Sequence, residues 1–245
     1  SYDLVNLMNG GHLIDDIQLD EVGDVRKKSL LHLQCHIGTD SLSWVVLGAD
    51  VTAMDFSSES IMIANKLKTR LNLNARFIHS NVYDLKKYLN KTFDIVYTSQ
   101  GVLCWLKNIE KWAEIISTYL KPGGIFYIME SHPLFHIFDD TGTKKLEAKY
   151  SYFHKSEPDV WQDGSPDYSD ETFFTDKASY EWQWSLSDII NALSSTGLQI
   201  EFVNEYDKIF YKAHPDMVQS EDGWWKLPEH KDHIPLMFTL KAVKL

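Results

Sequence analysis

The stretch LLHLQCHIGTDSL, residues 30–42, together with GADVTAMDFS, residues 48–57, decides the fold of this chain. Each stretch contains a short apolar run that ends in polar residues and is followed by a helical pattern. We predict a first strand at residues 29–34, a helix at about 39–47 and a second strand at 50–54. This order predicts two parallel strands joined by a crossover helix.

The alternation of strand and helix patterns continues along the chain. Further strands are predicted at residues 75–79, 93–98, 125–130, 198–207 and 236–243. The predicted helices are one that begins at Ser57 or Ser58, a short one that follows the third strand and ends near Leu89, and two more at 109–120 and 186–195. Residues 131–184 are rich in aromatic side chains and weakly periodic, and we interpret them as an insertion that covers one end of the sheet. Residues 1–245 have the length of a single α/β domain.

The composition argues against several classes of protein. The formal net charge of −11 opposes nonspecific nucleic-acid binding, which needs a basic surface. No apolar stretch approaches the roughly 20 residues of a membrane-spanning helix, and the first residues lack a secretory pattern. The two cysteines, Cys35 and Cys104, match neither a disulfide framework nor a zinc spacing. We therefore expect a reduced, cytoplasmic setting, with no metal and no membrane partner.

Candidate ligand-binding residues follow each of the first four predicted strands. In an open parallel sheet, ligands bind beyond the carboxyl ends of the strands, where the winding direction reverses. The residues in these four loops that we expect to bind a cofactor are Gln34, Cys35, His36, Gly38, Asp40, Asp55, Phe56, Ser57, Asn81, Val82, Tyr83, Ser99, Gln100 and Gly101. The four loops should converge on one crevice.

Asp55 is the most informative of these residues. It ends the second strand and lies 21 residues after Gln34, close to the spacing of about 20 residues at which an acid binds ribose in nucleoside-binding folds. A carboxylate there can accept hydrogen bonds from both ribose hydroxyls. The alternative is an acid that interacts only with the dipole of the following helix. We favour ribose binding.

The other loops suit the remaining parts of a nucleoside cofactor. Gly38 permits close backbone approach, and Asp40 could attract an ammonium group. An adenine ring could lie between Phe56 and the pair Val82 and Tyr83, with Asn81 reading its edge. Taken alone, each of these residue types more often lies in the core or at the rim of a site than in contact with a cofactor.

The chain resembles the class I S-adenosylmethionine-dependent methyltransferases in five segments that occur in the family's order. They are the two stretches quoted above, NVYDL at residues 81–85, FDIVYTSQGVLCWL at 93–106 and LKPGGIFYIMESHP at 120–133. The resemblance implies a Rossmann-like, mostly parallel, doubly wound sheet of seven strands whose last strand is antiparallel. It also implies S-adenosylmethionine as cofactor, S-adenosylhomocysteine as product and methyl transfer to a small-molecule acceptor.

The first motif departs from the family pattern of an acidic residue followed by GxGxG. His32 stands in the acidic place, Gln34 and His36 stand in glycine places, and only Gly38 is retained. Because Asp55 and the later segments are intact, we expect the cofactor to bind with a modified loop geometry.

Methyl transfer requires alignment of the acceptor and, for a hydroxyl, removal of a proton. The predicted catalytic residues are His132 and Glu130, near the end of the fifth strand, although His132 could instead cap the turn before Pro133. His136 and His154 are further candidates that we expect at the surface. An acceptor pocket could draw on several aromatic residues of the insertion, most of which we expect to serve packing: Tyr152, Phe153, Trp161, Tyr180, Trp182 and Trp184.

Two other functions stay open. A nicotinamide-dependent oxidoreductase shares the early strand–helix–strand order and the acid after the second strand, but it would normally contain GxGxxG. A non-catalytic adenosyl-ligand binding protein would keep the fold without turnover. The sequence predicts neither the acceptor nor the oligomeric state.

Overall fold

The computed structural model of the protein describes residues 4–138, 146–161, 166–167, 170–174, 178–230 and 233–245. The described helices are α1 (Leu4–Met8), α2 (Asp16–Val22), α3 (Thr39–Val46), α4 (Ser58–Arg70), α5 (Ile109–Tyr119) and α6 (Leu186–Ser195). The described strands are β1 (Ser29–Leu33), β2 (Asp50–Asp55), β3 (Ala75–His79), β4 (Phe93–Ser99), β5 (Leu120–Ser131), β6 (Asp159–Trp161), β7 (Pro166–Asp167), β8 (Asp170–Phe174), β9 (Ser179–Glu181), β10 (Leu198–Tyr206), β11 (Val218–Gln219), β12 (Trp225–Lys226) and β13 (Met237–Lys244).

Seven of these strands form the central sheet, in the order β10-β13-β5-β4-β1-β2-β3. The strands β1 to β5 are mutually parallel, whereas β13 lies antiparallel between β5 and β10. The chain winds from β1 outward to β3 and then returns to β4 and β5, so the winding direction reverses between β1 and β4. The predicted doubly wound, seven-stranded sheet with an antiparallel last strand is confirmed.

Two buried layers enclose the sheet. On one face, α5 and α6 pack through Trp112 and Ile189 against strand residues that include Phe126. On the other face, Trp44 of α3 packs with Tyr97 of β4. The strands at the sheet centre are apolar on both faces because both faces are covered, as is typical of parallel sheets.

The fifth strand begins earlier than the sequence predicts, at Leu120 instead of residue 125. Leu120 pairs with Phe93 and Ile125 pairs with Ile95, so the residues Lys121 to Gly124 form a bulge opposite a single residue of β4. A Cβ atom on Gly124 would lie 2.9 Å from the carbonyl oxygen of Lys121, which explains why a glycine occupies this position. The turn signal KPGG therefore marks a bulge within the strand.

The described part of residues 131–184 contributes no strand to the central sheet beyond the end of β5. The strand β6 pairs antiparallel with β9 and β7 with β8. The backbone N–H of Trp182 donates to the carbonyl oxygen of Cys104 at 2.8 Å, which joins this segment to the loop after β4. None of the described helices combines the length and the apolar content needed to cross a bilayer.

Candidate cofactor and acceptor site

The loop between β1 and α3 adopts three left-handed backbone conformations. The φ angles are 57° at Gln34, 50° at His36 and 78° at Gly38. The left-handed region costs a residue with a side chain about 1–2 kcal/mol, so Gln34 and His36 hold conformations that glycine would adopt without strain. The two substitutions in the first motif are therefore accommodated in a strained backbone.

Gly38 is required by space as well as by conformation. A Cβ atom there would lie 2.6 Å from Cε1 of Phe77 and 3.0 Å from the Cβ of Ala64. The loop thus packs directly on β3 and α4, and only glycine allows this close approach.

Replacement of His36 by glycine is expected to stabilise the protein. Relief of the left-handed strain, about 1–2 kcal/mol, should exceed the added entropy of a glycine in the unfolded chain, about 0.4–1 kcal/mol. Urea denaturation should show a net gain of about 0.5–1 kcal/mol in the free energy of unfolding. Lys27→Gly, at a φ of 62° outside the crevice, is the matched comparison. A loss of stability in His36→Gly alone would show that contacts of the imidazole outweigh the strain.

Asp55 is buried at the end of β2 and holds two loops together. Its Oδ2 accepts a hydrogen bond from the backbone N–H of His36 at 2.8 Å, and its Oδ1 accepts one from the N–H of Ser57 at 2.9 Å. A carboxylate has about four acceptor sites, so each oxygen retains one. The remaining sites fit the two hydroxyls of a ribose.

The first motif of the family has an acidic residue at the position that His32 occupies here. In this protein the negative charge near the first loop lies on Asp40 instead. The buried His32 has its Nδ1 2.8 Å from the hydroxyl of Ser41, and burial lowers its pKa to about 3. It is therefore uncharged at neutral pH. The hydroxyl of Ser99 donates to Oδ2 of Asp40 at 2.9 Å, and burial raises the pKa of Asp40 to about 6. Asp40 in the first turn of α3 can thus supply the carboxylate that the motif lacks.

Gln34 has a buried acceptor that the protein leaves unused. Its Nε2 donates to the carbonyl oxygen of Val102 at 3.1 Å, whereas its Oε1 has no hydrogen-bond partner among the described residues. Buried polar atoms without partners are rare in folded proteins. Within the described residues, the loop after β1 therefore keeps one unsatisfied buried acceptor.

The residues predicted to surround an adenine differ in exposure. Phe56 is 63% exposed and free to stack, whereas Val82 lies in the core. The hydroxyl of Tyr83 donates to the carbonyl oxygen of Asn108 at 3.1 Å, and its ring packs against the core. Asn81 caps the following 3₁₀ helix, because its Oδ1 accepts from the N–H of Tyr83 at 3.0 Å. Phe56 is thus the most accessible of the predicted adenine contacts.

Two further residues that we predicted to bind the cofactor, Cys35 and Gln100, make mainly backbone hydrogen bonds. Cys35 is buried, and its N–H and carbonyl oxygen bind the backbones of Met54 and Gly38 at 2.9 Å. Gln100 has a φ of 41° and donates its backbone N–H to Met129 at 2.9 Å. These bonds fix the loops after β1 and β4 to the neighbouring strands.

Glu130 anchors the loop after β4. Its Oε1 accepts from the backbone N–H groups of Gly101 at 2.7 Å and Ser131 at 2.8 Å, and its Oε2 accepts from Val102 at 2.7 Å and Leu103 at 3.3 Å. The hydroxyl of Ser131 donates to Oε1 as well, at 3.0 Å. The carboxylate that we predicted as a base is therefore engaged in positioning this loop.

His132 caps a turn, as the alternative interpretation proposed. Its Nδ1 accepts from the N–H of Leu134 at 3.1 Å, and its Nε2 lies 2.8 Å from Oε1 of Glu205 on β10. Burial lowers the pKa of His132, and the nearby Glu205 opposes that shift. The imidazole thus faces β10.

A cavity of about 130 Å³ lies between the loop after β4, the insertion and the segment after β10. Its walls comprise Cys104, Phe135, His136, Phe138, Tyr150, Ser151, Asp159, Trp161, Glu181, Trp182, Gln183, Tyr211, Ala213 and His214. Trp161 and Trp182 belong to the aromatic set proposed from sequence. Glu130 and His132 do not line the cavity, whereas His136 does.

The other four aromatic residues of that set do not line the cavity. The indole of Trp184 donates to the carbonyl oxygen of Leu106 at 2.8 Å and stacks on His154. The hydroxyl of Tyr152 accepts from the N–H of Leu186, and Phe153 and Tyr180 are exposed. For these residues the packing or surface interpretation is the one the structure supports.

Sequence reasoning missed the contribution of the N-terminal segment. Asp15 caps α2 by accepting from the N–H of Gln18 at 3.0 Å, and the side chain of Gln18 accepts from the hydroxyl of Tyr97. The N–H of Leu13 donates to Ser43 of α3 at 3.0 Å. The acid at 15 and the glutamine at 18 form a capping-box pattern that could have predicted the start of this helix.

The chain is similar to a known domain family and to several solved structures. The model of a methyltransferase domain family matches residues 31–128, which contain the loops after β1, β2, β3 and β4. No sequence among curated proteins matches the chain.

Solved structures show the same fold over nearly the whole chain. A protein from Listeria monocytogenes assigned to the S-adenosylmethionine-dependent methyltransferases is 18% identical, with a TM-score of 0.66, over 94% of this chain and 97% of its own. A methyltransferase of this kind from Mesorhizobium loti is 15% identical, with a TM-score of 0.61, over 93% and 96%. The glycopeptide N-methyltransferase MtfA, complexed with S-adenosylmethionine, is 14% identical, with a TM-score of 0.56, over 92% and 90%. The chain therefore contains a segment similar to a methyltransferase domain, at residues 31–128, and it has the fold of S-adenosylmethionine-dependent methyltransferases.

Proposed function

We propose that this enzyme methylates a small-molecule acceptor bound in the cavity beside the loop after β4. The observation that carries the proposal is the position of Cys104, which lines the cavity and belongs to the segment that follows Ser99 and Gly101 in the cofactor crevice. Acceptor and cofactor would therefore meet across one loop. The net charge of −11 favours a small molecule over a nucleic acid.

Four residues are proposed to hold the cofactor. Asp55 would bind the ribose hydroxyls, Asp40 the ammonium group, Gln34 a further donor of the amino-acid end, and Phe56 one face of the adenine. When bound, S-adenosylmethionine supplies a methyl group on a sulfonium, which an aligned nucleophile displaces in line. The acidic residues at 40 and 55 suit the cationic end and the sugar of this molecule.

The chain's own contribution to the reaction is mainly alignment. Glu130 holds the segment from Gly101 to Leu103, and this segment carries Cys104 to the cavity wall. We assign Glu130 and His132 positioning roles, because their polar atoms are engaged with backbone groups and with Glu205. Where the acceptor must lose a proton, His136 on the cavity wall could receive it.

Cofactor affinity is expected to fall as the pH decreases through about 6. Burial raises the pKa of Asp40 to about 6, so its carboxylate is protonated below that pH and loses its attraction for an ammonium. Calorimetry with S-adenosylhomocysteine should show roughly tenfold weaker binding at pH 5 than at pH 8. The Asp40→Asn variant should bind S-adenosylhomocysteine weakly, and its affinity should not change between pH 5 and pH 8. A pH dependence that persists in Asp40→Asn would assign the titration to another group.

The proposed activity is tested by incubating the enzyme with a labelled methyl donor and a fractionated metabolite extract. Transfer of label to a low-molecular-mass product, absent with Asp55→Ala, supports the proposal. Binding of S-adenosylhomocysteine without transfer to any fraction would favour a non-catalytic adenosyl-ligand binding protein. Preference for NADH over S-adenosylhomocysteine in a fluorescence titration would favour an oxidoreductase.

A further inference from the structure

The chain between β10 and β13 leaves the central sheet and returns to it. The two strands are antiparallel neighbours, and Tyr206 pairs with Met237 where the chain departs and comes back. A tight turn is enough to join two such strands, yet residues 207–236 lie between them. We call these residues the β10–β13 segment. Three of them line the cavity beside the loop after β4: Tyr211, Ala213 and His214.

The β10–β13 segment holds Tyr211 on an anchored stretch of backbone. Ile209 is fully buried and exchanges two backbone hydrogen bonds with Trp225, both at 2.9 Å. Phe210 packs against the buried cluster that contains Ile209. Tyr211, in contrast, is 41% exposed, although it also lines the cavity. Its ring therefore lies where the cavity opens to solvent and has surface that a ligand can contact.

Aromatic rings from three parts of the chain surround the same cavity. Trp161 packs edge-on against Tyr150 with 5.8 Å between the ring centres, and Phe135 lies 6.4 Å from Phe138. Of the six aromatic residues on the described wall, all except Phe135 retain accessible surface beyond the buried range. The six are Phe135, Phe138, Tyr150, Trp161, Trp182 and Tyr211.

This wall favours an aromatic ligand over an aliphatic one of equal size. Rings attract one another in edge-on and offset arrangements, and this attraction adds to the gain from burying apolar surface. The cavity volume of about 130 Å³ is close to the roughly 150 Å³ in which a benzene ring is accommodated. One aromatic ring is therefore the unit that matches both the size and the lining.

We propose that Tyr211 selects methyl acceptors that carry one aromatic ring, by contacting that ring where the cavity opens. The proposal rests on the proposed function, because it treats the cavity as the acceptor site. It names the substrate class as small aromatic molecules. It also assigns acceptor choice to the β10–β13 segment, which lies outside residues 31–128 that match the methyltransferase domain model.

The test compares two probes that differ only in the aromaticity of the ring, benzyl alcohol and cyclohexylmethanol. Each is titrated into the full chain with and without saturating S-adenosylhomocysteine, and binding is followed by ligand-observed NMR. We expect benzyl alcohol to bind roughly 2- to 12-fold more tightly, the range that ring–ring contacts add to burial. Tyr211→Ala should lower the affinity for benzyl alcohol by at least about twofold and reduce this preference.

Three further variants separate the ring from other properties of Tyr211. Tyr211→Phe keeps the ring and should bind benzyl alcohol within about twofold of the wild type. Tyr211→Leu keeps apolar bulk without aromaticity and should behave like Tyr211→Ala, so the test does not depend on one variant. Val218→Ala, in the same segment, 52% exposed and outside the cavity wall, should leave both affinities unchanged.

Several outcomes would overturn the role of Tyr211. Equal affinity of the two probes, or no detectable binding of either, would refute an aromatic acceptor site. A wild-type preference that persists in Tyr211→Ala and Tyr211→Leu would remove Tyr211 from recognition, and an equal loss in Tyr211→Phe would assign the effect to its hydroxyl. A wild type that neither binds S-adenosylhomocysteine nor transfers label would instead refute the proposed function, and the titrations without that ligand would still test the preference for aromatic probes.

Discussion

Asp55→Ala is expected to weaken binding of S-adenosylhomocysteine by roughly 10- to 150-fold, because hydrogen bonds to a charged group contribute about 1.5–3 kcal/mol. The carboxylate also accepts the backbone N–H groups of His36 and Ser57. Its removal therefore loosens the loop after β1 in addition to removing the ribose contact. Calorimetry at pH 8 measures the affinity, and thermal unfolding reports the effect on the loop.

Asp50→Ala provides the matched control for this experiment. Asp50 lies at the opposite end of β2, and its side chain is 69% exposed in an ion pair with Lys91 at 3.0 Å. Exposed ion pairs contribute little to stability, so we expect less than about a twofold change in affinity. Unchanged affinity in a folded Asp55→Ala variant would rule out the ribose role.

Glu130→Ala is expected to lower the free energy of unfolding by about 3 kcal/mol or more. The substitution leaves the N–H groups of Val102 and Leu103 buried without acceptors, and each such group costs about 1–3 kcal/mol. It also releases Gly101 and Ser131 from the same carboxylate. Urea denaturation measures the loss, and affinity for S-adenosylhomocysteine should fall with it because the loop after β4 borders the crevice.

Glu201→Ala on β10 is the control for this second prediction. Glu201 forms a partly exposed ion pair with Lys241 at 3.3 Å, so its loss should cost at most about 1 kcal/mol. A similarly small effect of Glu130→Ala would contradict the anchoring role. If Glu130→Gln proved stable and bound S-adenosylhomocysteine normally but transferred no methyl group, we would assign Glu130 the role of general base instead.

Elements with strong hydrophobic periodicity were predictable to within about a residue. β3 and α6 have the bounds that the pattern indicates, and Ser57 and Ser185 cap their helices through their own side chains. Such signals are local, since the alternation of apolar residues and the capping hydroxyls act over a few positions. The number of strands in the sheet and the antiparallel last strand followed from the family resemblance, and the structure confirms both.

Conformations set by distant contacts were not predictable. The side chains of Gln34 and His36 do not themselves signal a positive φ, and Asp55, 19 residues after His36, binds the backbone N–H of His36 in that loop. Glu130 and His132 looked like bases because sequence places them at the end of a strand and leaves their partners unknown. The hydrogen bonds to Gly101 and Leu134 assign them positioning roles.

The sequence by itself determined a parallel sheet of alternating strands and helices and the acid that ends β2, because periodicity and spacing along the chain specify them, whereas the doubly wound, seven-stranded form followed from the family resemblance. Only the tertiary structure decided which groups line the cavity beside the loop after β4. Cys104, Phe135, Trp182 and His214 are far apart in sequence and meet because the loop after β4, the insertion and the segment after β10 come together around one cavity. The set of side chains that line such a cavity is a property of the packed chain, and no local pattern records it.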